Sequence, residues 1–221
     1  MFESIVKLKD EIIEALAQTG YMVIISLIVA VIAGGFLGIL LYAASSQFFF
    51  KNEILKKSIG FVLNIIRSVP FLILMILLLP LSKLVVGTKI GPEAVIVPLS
   101  IASTAFFARL AEASFSDVNS GIIEAAFSSG ASKSRIIFGI IIPEALPSLV
   151  KNITVTAISV LGFSAMAGLV GGGGLGDLAY RYGYQRYQTD IMLVCVIMLI
   201  VIVQLIQWIG DYIAYRLDKK H

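Results

Sequence analysis

Long apolar runs separated by short polar ones organise this chain. A membrane-crossing helix needs about 20 consecutive, mostly apolar residues. Five stretches meet or approach that length: 20–44, 58–81, 90–112, 145–170 and 190–212. The first carries no charge. The second is interrupted by Arg67 and Pro70, and the proline predicts a kink. The third is the weakest. Its uncharged part, 94–108, is short, rich in small residues and contains Pro98, so the helix should extend towards Glu93 and Arg109. Residues 2–17 obey another rule. Phe2, Ile5, Val6, Ile12, Ile13 and Leu16 recur at helical spacing with Glu and Lys between them. This predicts an amphipathic helix on the membrane surface or a polar extension of the first span wetted by headgroups, and the extension is favoured.

The longest polar gap is 113–144. Ile122, Ile123, Ala125, Ala126 and Phe127 cluster in one short helical stretch, and Ile136, Ile137, Ile140 and Ile141 in a second. Gly130 lies between them, where a helix can end and the chain reverse. Ser132 is a candidate N-cap for the second stretch. Pro143 and Pro147 mark entry into the fourth span. The pattern predicts two short amphipathic helices forming a knob with exposed apolar surface, the mark of an interface. Periodicity alone does not separate a docking knob from a surface-lying helix pair.

Composition decides the solvent. The 221 residues are 58% hydrophobic and 14% charged, with mean hydropathy +0.97, against about 25% charged in soluble domains. A chain this short cannot bury that apolar excess in itself, which leaves lipid. The fold class expected is all-α integral membrane, one domain over 1–221, with no internal repeat. The net charge of +3 suits basic loops and gives no sign of nucleic-acid binding. Cys195 is alone in an apolar run and His221 is the only histidine, so a disulfide framework, a Cys or His metal site and a Ser-His-Asp triad are excluded. Ten basic residues fall on the side of the 113–144 loop against six on the other. That bias orients the N-terminus outside, with the loop and the C-terminus inside. Four acidic residues among the six charges of the first nineteen argue against a cleaved signal peptide.

Polar residues in lipid prefer the bundle interior. Asn152, Thr156, Ser159, Phe163 and Met166 fall on one face of the fourth span. They predict either a pathway lining with a hydrophobic gate near Phe163 and Met166, or a small-and-polar helix interface. For Thr156 and Ser159 the two are balanced. For Met166 the small neighbours Ser164, Ala165, Ala167 and Gly168 favour the pathway. Arg67 is either functional or a boundary residue snorkelling to the interface. Residues 171–176 form a formal G-x-G-x-x-G, but a dinucleotide site needs a preceding strand, so a tight turn is expected. A loop with Tyr180, Tyr182, Tyr184 and Tyr187 comes next, an aromatic belt at the outer interface. No Walker A sequence is present.

Glu124-Ala125-Ala126, then Gly130, then Ile140-x-Ile142-Pro143, resembles the signature loop of ABC importer permeases. Where many members have Thr-Pro, this chain has Ser132-Lys133. Arg67-Ser68-Val69-Pro70-Phe71, Ser164-Ala165-Met166-Ala167-Gly168 and Tyr182-Gly183-Tyr184 resemble the methionine branch of that family. The resemblance implies a five-span, non-catalytic permease of type I architecture in a bacterial inner membrane. It implies a homodimer with the pathway at its axis, two ATPase subunits that bind ATP and Mg, and a periplasmic or lipid-anchored substrate-binding protein. Glu124, Ala125, Ala126, Gly130 and Arg135 would meet the ATPase. Asn152, Thr156, Ser159, Phe163, Ser164, Met166 and Arg67 would line or gate the pathway. No cofactor is expected in this chain itself. The expected cargo is methionine, in D and L forms. The alternatives are another small solute or, further off, a stand-alone secondary transporter. The latter would need titratable groups in mid-membrane, and only Arg67 is found there.

Overall fold

The computed structural model describes residues 8–218, and among them every regular element is helical. Helix α1, Lys9–Ser45, runs 37 residues, or about 55 Å at 1.5 Å per residue. A bilayer core is about 30 Å thick, so the first turns of α1, with Asp10, Glu11 and Glu14, project beyond it. Residues 9–17 are thus a polar extension of the first span; Phe2, Ile5 and Val6 lie outside the described residues.

Helix α1 has two contrasting faces. Ser26, Ala30, Gly34 and Gly38 recur every four residues and are buried. Ile24, Ile28, Ile32 and Phe36 lie on the opposite face and are each at least 50% exposed. The small face meets α4, Pro92–Ser116. A Cβ on Gly38 would lie 2.7 Å from Ala111 Cβ, so the two backbones approach as only small residues permit.

The second span departs from a single run over 58–81. It consists of α2, Glu53–Ser68, and α3, Phe71–Val86, which meet at a 110° bend. Pro70 supplies no N–H, and its ring drives Val69 into extended geometry (φ −82°, ψ 128°). The predicted kink is therefore a full break. Helix α4 is the hub: α1, α2, α3 and the fourth span all pack on it.

Helix α5 spans Ser120–Ser128. The second short helix expected in the loop is not separate. Its residues open α6, a continuous 38-residue helix, Lys133–Val170. A π turn at Ile137–Ile141 makes this possible. In regular winding the ring of Pro143 would strike the carbonyl of Gly139; the wider turn moves that carbonyl and the helix continues. After a turn with left-handed Gly171, Gly173 and Gly174, Tyr180, Tyr182 and Tyr184 are helical rather than in a loop, and only Tyr187 lies beyond the helix. Helix α7, Gly174–Leu178, runs into a π turn at Ala179–Tyr184. Side chains of α1 cap it: Gly174 N–H donates to Gln18 Oε1 (2.8 Å) and Leu175 N–H to Thr19 Oγ1 (2.9 Å). Helix α8, Thr189–Leu217, packs on α6. The bundle thus has a loop end, with residues 45–52 and 117–132, and a far end, with 87–91 and 171–188.

Candidate functional site

Local chemistry shapes α5. Asn119 caps it, its Oδ1 accepting from Gly121 N–H at 2.8 Å. Gly130 ends it in the left-handed region (φ 77°), with Gly130 N–H bonded to Phe127 O and Ala131 N–H to Ala126 O. Only glycine adopts that turn without strain. Ser132 then caps α6, as expected, accepting from Arg135 N–H.

A nonlocal clamp fixes α5 on the bundle. Ile123 and Ile136 are buried in one cluster with Tyr42, Phe49, Phe115 and Val118. Phe127 stacks on Phe48 and meets Phe49 edge-on, both at 5.8 Å between centroids. Lys133 Nζ donates to the Phe49 carbonyl at 2.6 Å. The inward half of α5 is therefore locked. Its outward half presents Glu124 and Ala125, with Gly130 and Arg135 beyond, all exposed; Ala126 is half-buried. Exposed Ile122 flanks the carboxylate. The result is a rigid acidic-and-apolar tip suited to a partner's cleft. Sequence reasoning missed Phe48, Phe49 and Lys133; three phenylalanines directly after the first span were the available signal.

The face predicted on α6 divides along its length. Asn152 Nδ2 donates to Leu110 O (3.2 Å) and Ser114 Oγ (2.8 Å), and Ser114 Oγ pairs with Ser148 Oγ at 2.9 Å. Thr156 is fully buried, its Oγ1 donating to Asn152 O. Asn152 and Thr156 thus take part in helix packing within the bundle. Ser164 is likewise buried, its hydroxyl donating to Leu161 O at 2.8 Å. Towards the far end the same face opens. Ser159 and Phe163 are half-buried and Met166 is 49% exposed. Phe163 lies on Phe71 of α3, the rings 4.6 Å apart and 16° from parallel. The structure brings Ser159, Phe163 and Met166 to one open face. Arg67 stands apart in the last turn of α2, exposed, its guanidinium 5.8 Å from the Phe106 ring. There its charge complements the helix dipole.

At the far end Tyr180 stacks on Tyr184 at 5.6 Å, and the Arg186 guanidinium lies 4.3 Å over the Tyr182 ring. A hydrogen bond to Glu11, aided by burial, pushes the Tyr182 phenol above its ordinary pKa. Arg181 pairs with Asp177 at 2.7 Å. Among the described residues, no cluster of His, Cys, Asp and Glu could hold a metal ion.

Both the sequence and the fold have known relatives. Residues 30–219 match the family described as binding-protein-dependent transport system inner membrane component. The chain is 47% identical over 211 residues to a probable D-methionine transport system permease protein MetI of Vibrio cholerae serotype O1, covering 96% of this chain and 94% of that one. It is 47% identical over 181 residues, 82% of each chain, to the methionine import system permease protein MetP of Bacillus subtilis strain 168. Among solved structures, a chain of the inward-facing MetNI methionine ABC transporter superposes with TM-score 0.94 at 35% identity, covering 96% of this chain and 99% of that one.

Proposed function

As the chain belongs to the family of binding-protein-dependent transport system inner membrane components, we propose that it couples methionine movement to ATP hydrolysis in a partner through α5. It is the membrane-spanning subunit of a methionine ABC importer. Two copies pair around a pathway and reorient between inward- and outward-open states. The loop end faces the cytoplasm and receives two ATPase subunits, which carry ATP and Mg; the far end receives the binding protein. Both stereoisomers of methionine are carried.

The observation that supports coupling is the division of α5. Ile123 and Phe127 bind it to the bundle while Glu124 and Ala125 stay free. A push on Glu124, Ala125, Ala126, Gly130 or Arg135 therefore moves the protomer rather than bending a loop. Phe163 and Met166 form the gate, where bulky apolar side chains exclude water, and Ser159 lines the pathway beside them. Glu124→Lys tests the reading in the complex reconstituted into liposomes. Uptake of labelled methionine should fall about tenfold or more, the worth of roughly 1.4 kcal/mol in one contact. Yield and melting temperature should hold, since Glu124 touches nothing in the core. Unchanged uptake with unchanged ATP hydrolysis would sink the proposal.

A further inference from the structure

Helix α2 packs on both α1 and α4. The apolar part of this contact is a small cluster in which Leu63 packs against Leu41 of α1 and Ala105 and Ala108 of α4. Its polar part is Arg109. From α4, Arg109 Nη2 donates to the Gly60 carbonyl (3.0 Å) and to Asn64 Oδ1 (3.2 Å), while Nη1 pairs with Glu112 at 2.8 Å. Gly60 leaves the room for this: a Cβ there would sit 2.8 Å from Nη2. The Nε of Arg109 is buried with no acceptor, so the latch does not use all the donors of the guanidinium. The outward side of α2 carries exposed Ile54, Phe61, Val62 and Ile65.

Beyond the latch the chain turns 110° at Val69–Pro70, and the first residue of α3 is Phe71. Its ring is buried and stacks on Phe163. Two attachments on one bent unit, Gly60 and Asn64 on α2 and Phe71 at the elbow, therefore lie between the Arg109 seam and the open face of α6. We infer that Arg109 and Phe71 are positioning residues for the gate: the guanidinium sets α2 on α4, and the rigid proline elbow passes that setting through Phe71 to the Phe163 ring. The inference rests on the reading of Phe163 as a gate residue. Proline fixes its own φ and holds Val69 in extended geometry, which limits how far the elbow can absorb a shift of α2 before Phe71 moves.

The test uses the complete complex, permease with ATPase subunits and binding protein, in liposomes with labelled methionine. The readout is methionine moved per ATP hydrolysed. Gly60→Ala adds one methyl against Nη2 and removes no charge; Phe71→Leu keeps an apolar side chain and removes the stacked plane. Each should lower the ratio about fivefold, a typical coupling effect. Combining them should do little more than the stronger alone, since both act on one linkage. If hydrolysis and transport fall together and the ratio holds, the residues are merely structural and the inference is overturned. Phe163→Ala separates the two readings. A lowered ratio there, with none in Gly60→Ala and Phe71→Leu, rejects the linkage and leaves the gate standing. An unchanged ratio in Phe163→Ala removes the gate and the linkage with it. Should Gly60→Ala fail to assemble, Arg109→Lys, which keeps the charge and loses the fork, takes its place under the same criteria.

Discussion

Helices α4 and α8 are both long enough to cross a bilayer, yet half of the apolar window of α4 is buried inside the bundle and only 11% of that of α8. Helix α4 is richest in Ala and Ser; α8 in Leu, Ile and Val. In water the second would be the core. In lipid, apolar side chains gain little by turning inward, and close backbone contact decides instead. Small residues let α1, α2, α3 and α6 all reach α4. The bulky side chains of α8, such as Ile197, Ile200 and Trp208, stay outside.

Three substitutions would break or sharpen that contrast, each measured by unfolding of the full chain in detergent. Phe107→Ala removes a buried ring where α4 meets α1 and should cost about 3–5 kcal/mol. Gly38→Leu forces a branched side chain between α1 and α4 and should cost about 1–3 kcal/mol from overpacking. Ile200→Ala on the bare face of α8 should stay within about 0.5 kcal/mol. A loss at Ile200 as large as that at Phe107 would mean that α8 is packed after all, and the contrast would collapse.

What could be read from the residues was mostly local. Gly130 and Ser132 announce a turn and a cap because only their own backbones and nearest neighbours are involved. Pro70 announces a break for the same reason, though not its 110°, which depends on what α2 and α3 each find on α4. Asn152 shows the other side. Its spacing puts it on one helix face, but the partners it finds, Leu110 and Ser114, are some forty residues away. The clamp between Phe49 and Phe127 is hidden equally well, since nothing local to either ring names the other. For α6, Pro143 was read as a boundary because proline disfavours a helix interior; a continuous helix with a wider turn at Ile137–Ile141 was unforeseen.

That turn has a consequence in angle. Each π turn takes up one residue beyond regular winding, and one residue corresponds to about 100° around a helix axis. The turn at Ile137–Ile141 therefore lets α6 carry one extra residue without changing the rotational phase between its Arg135 end and the Phe163 face. Deleting a single residue from 137–141 should close the turn to regular winding and leave α5 aimed as it is. Deleting one from the regular winding between Ser148 and Val160 should instead swing α5 by about 100° about the axis of α6, taking Phe127 away from Phe48 and aiming Glu124 at a different neighbour.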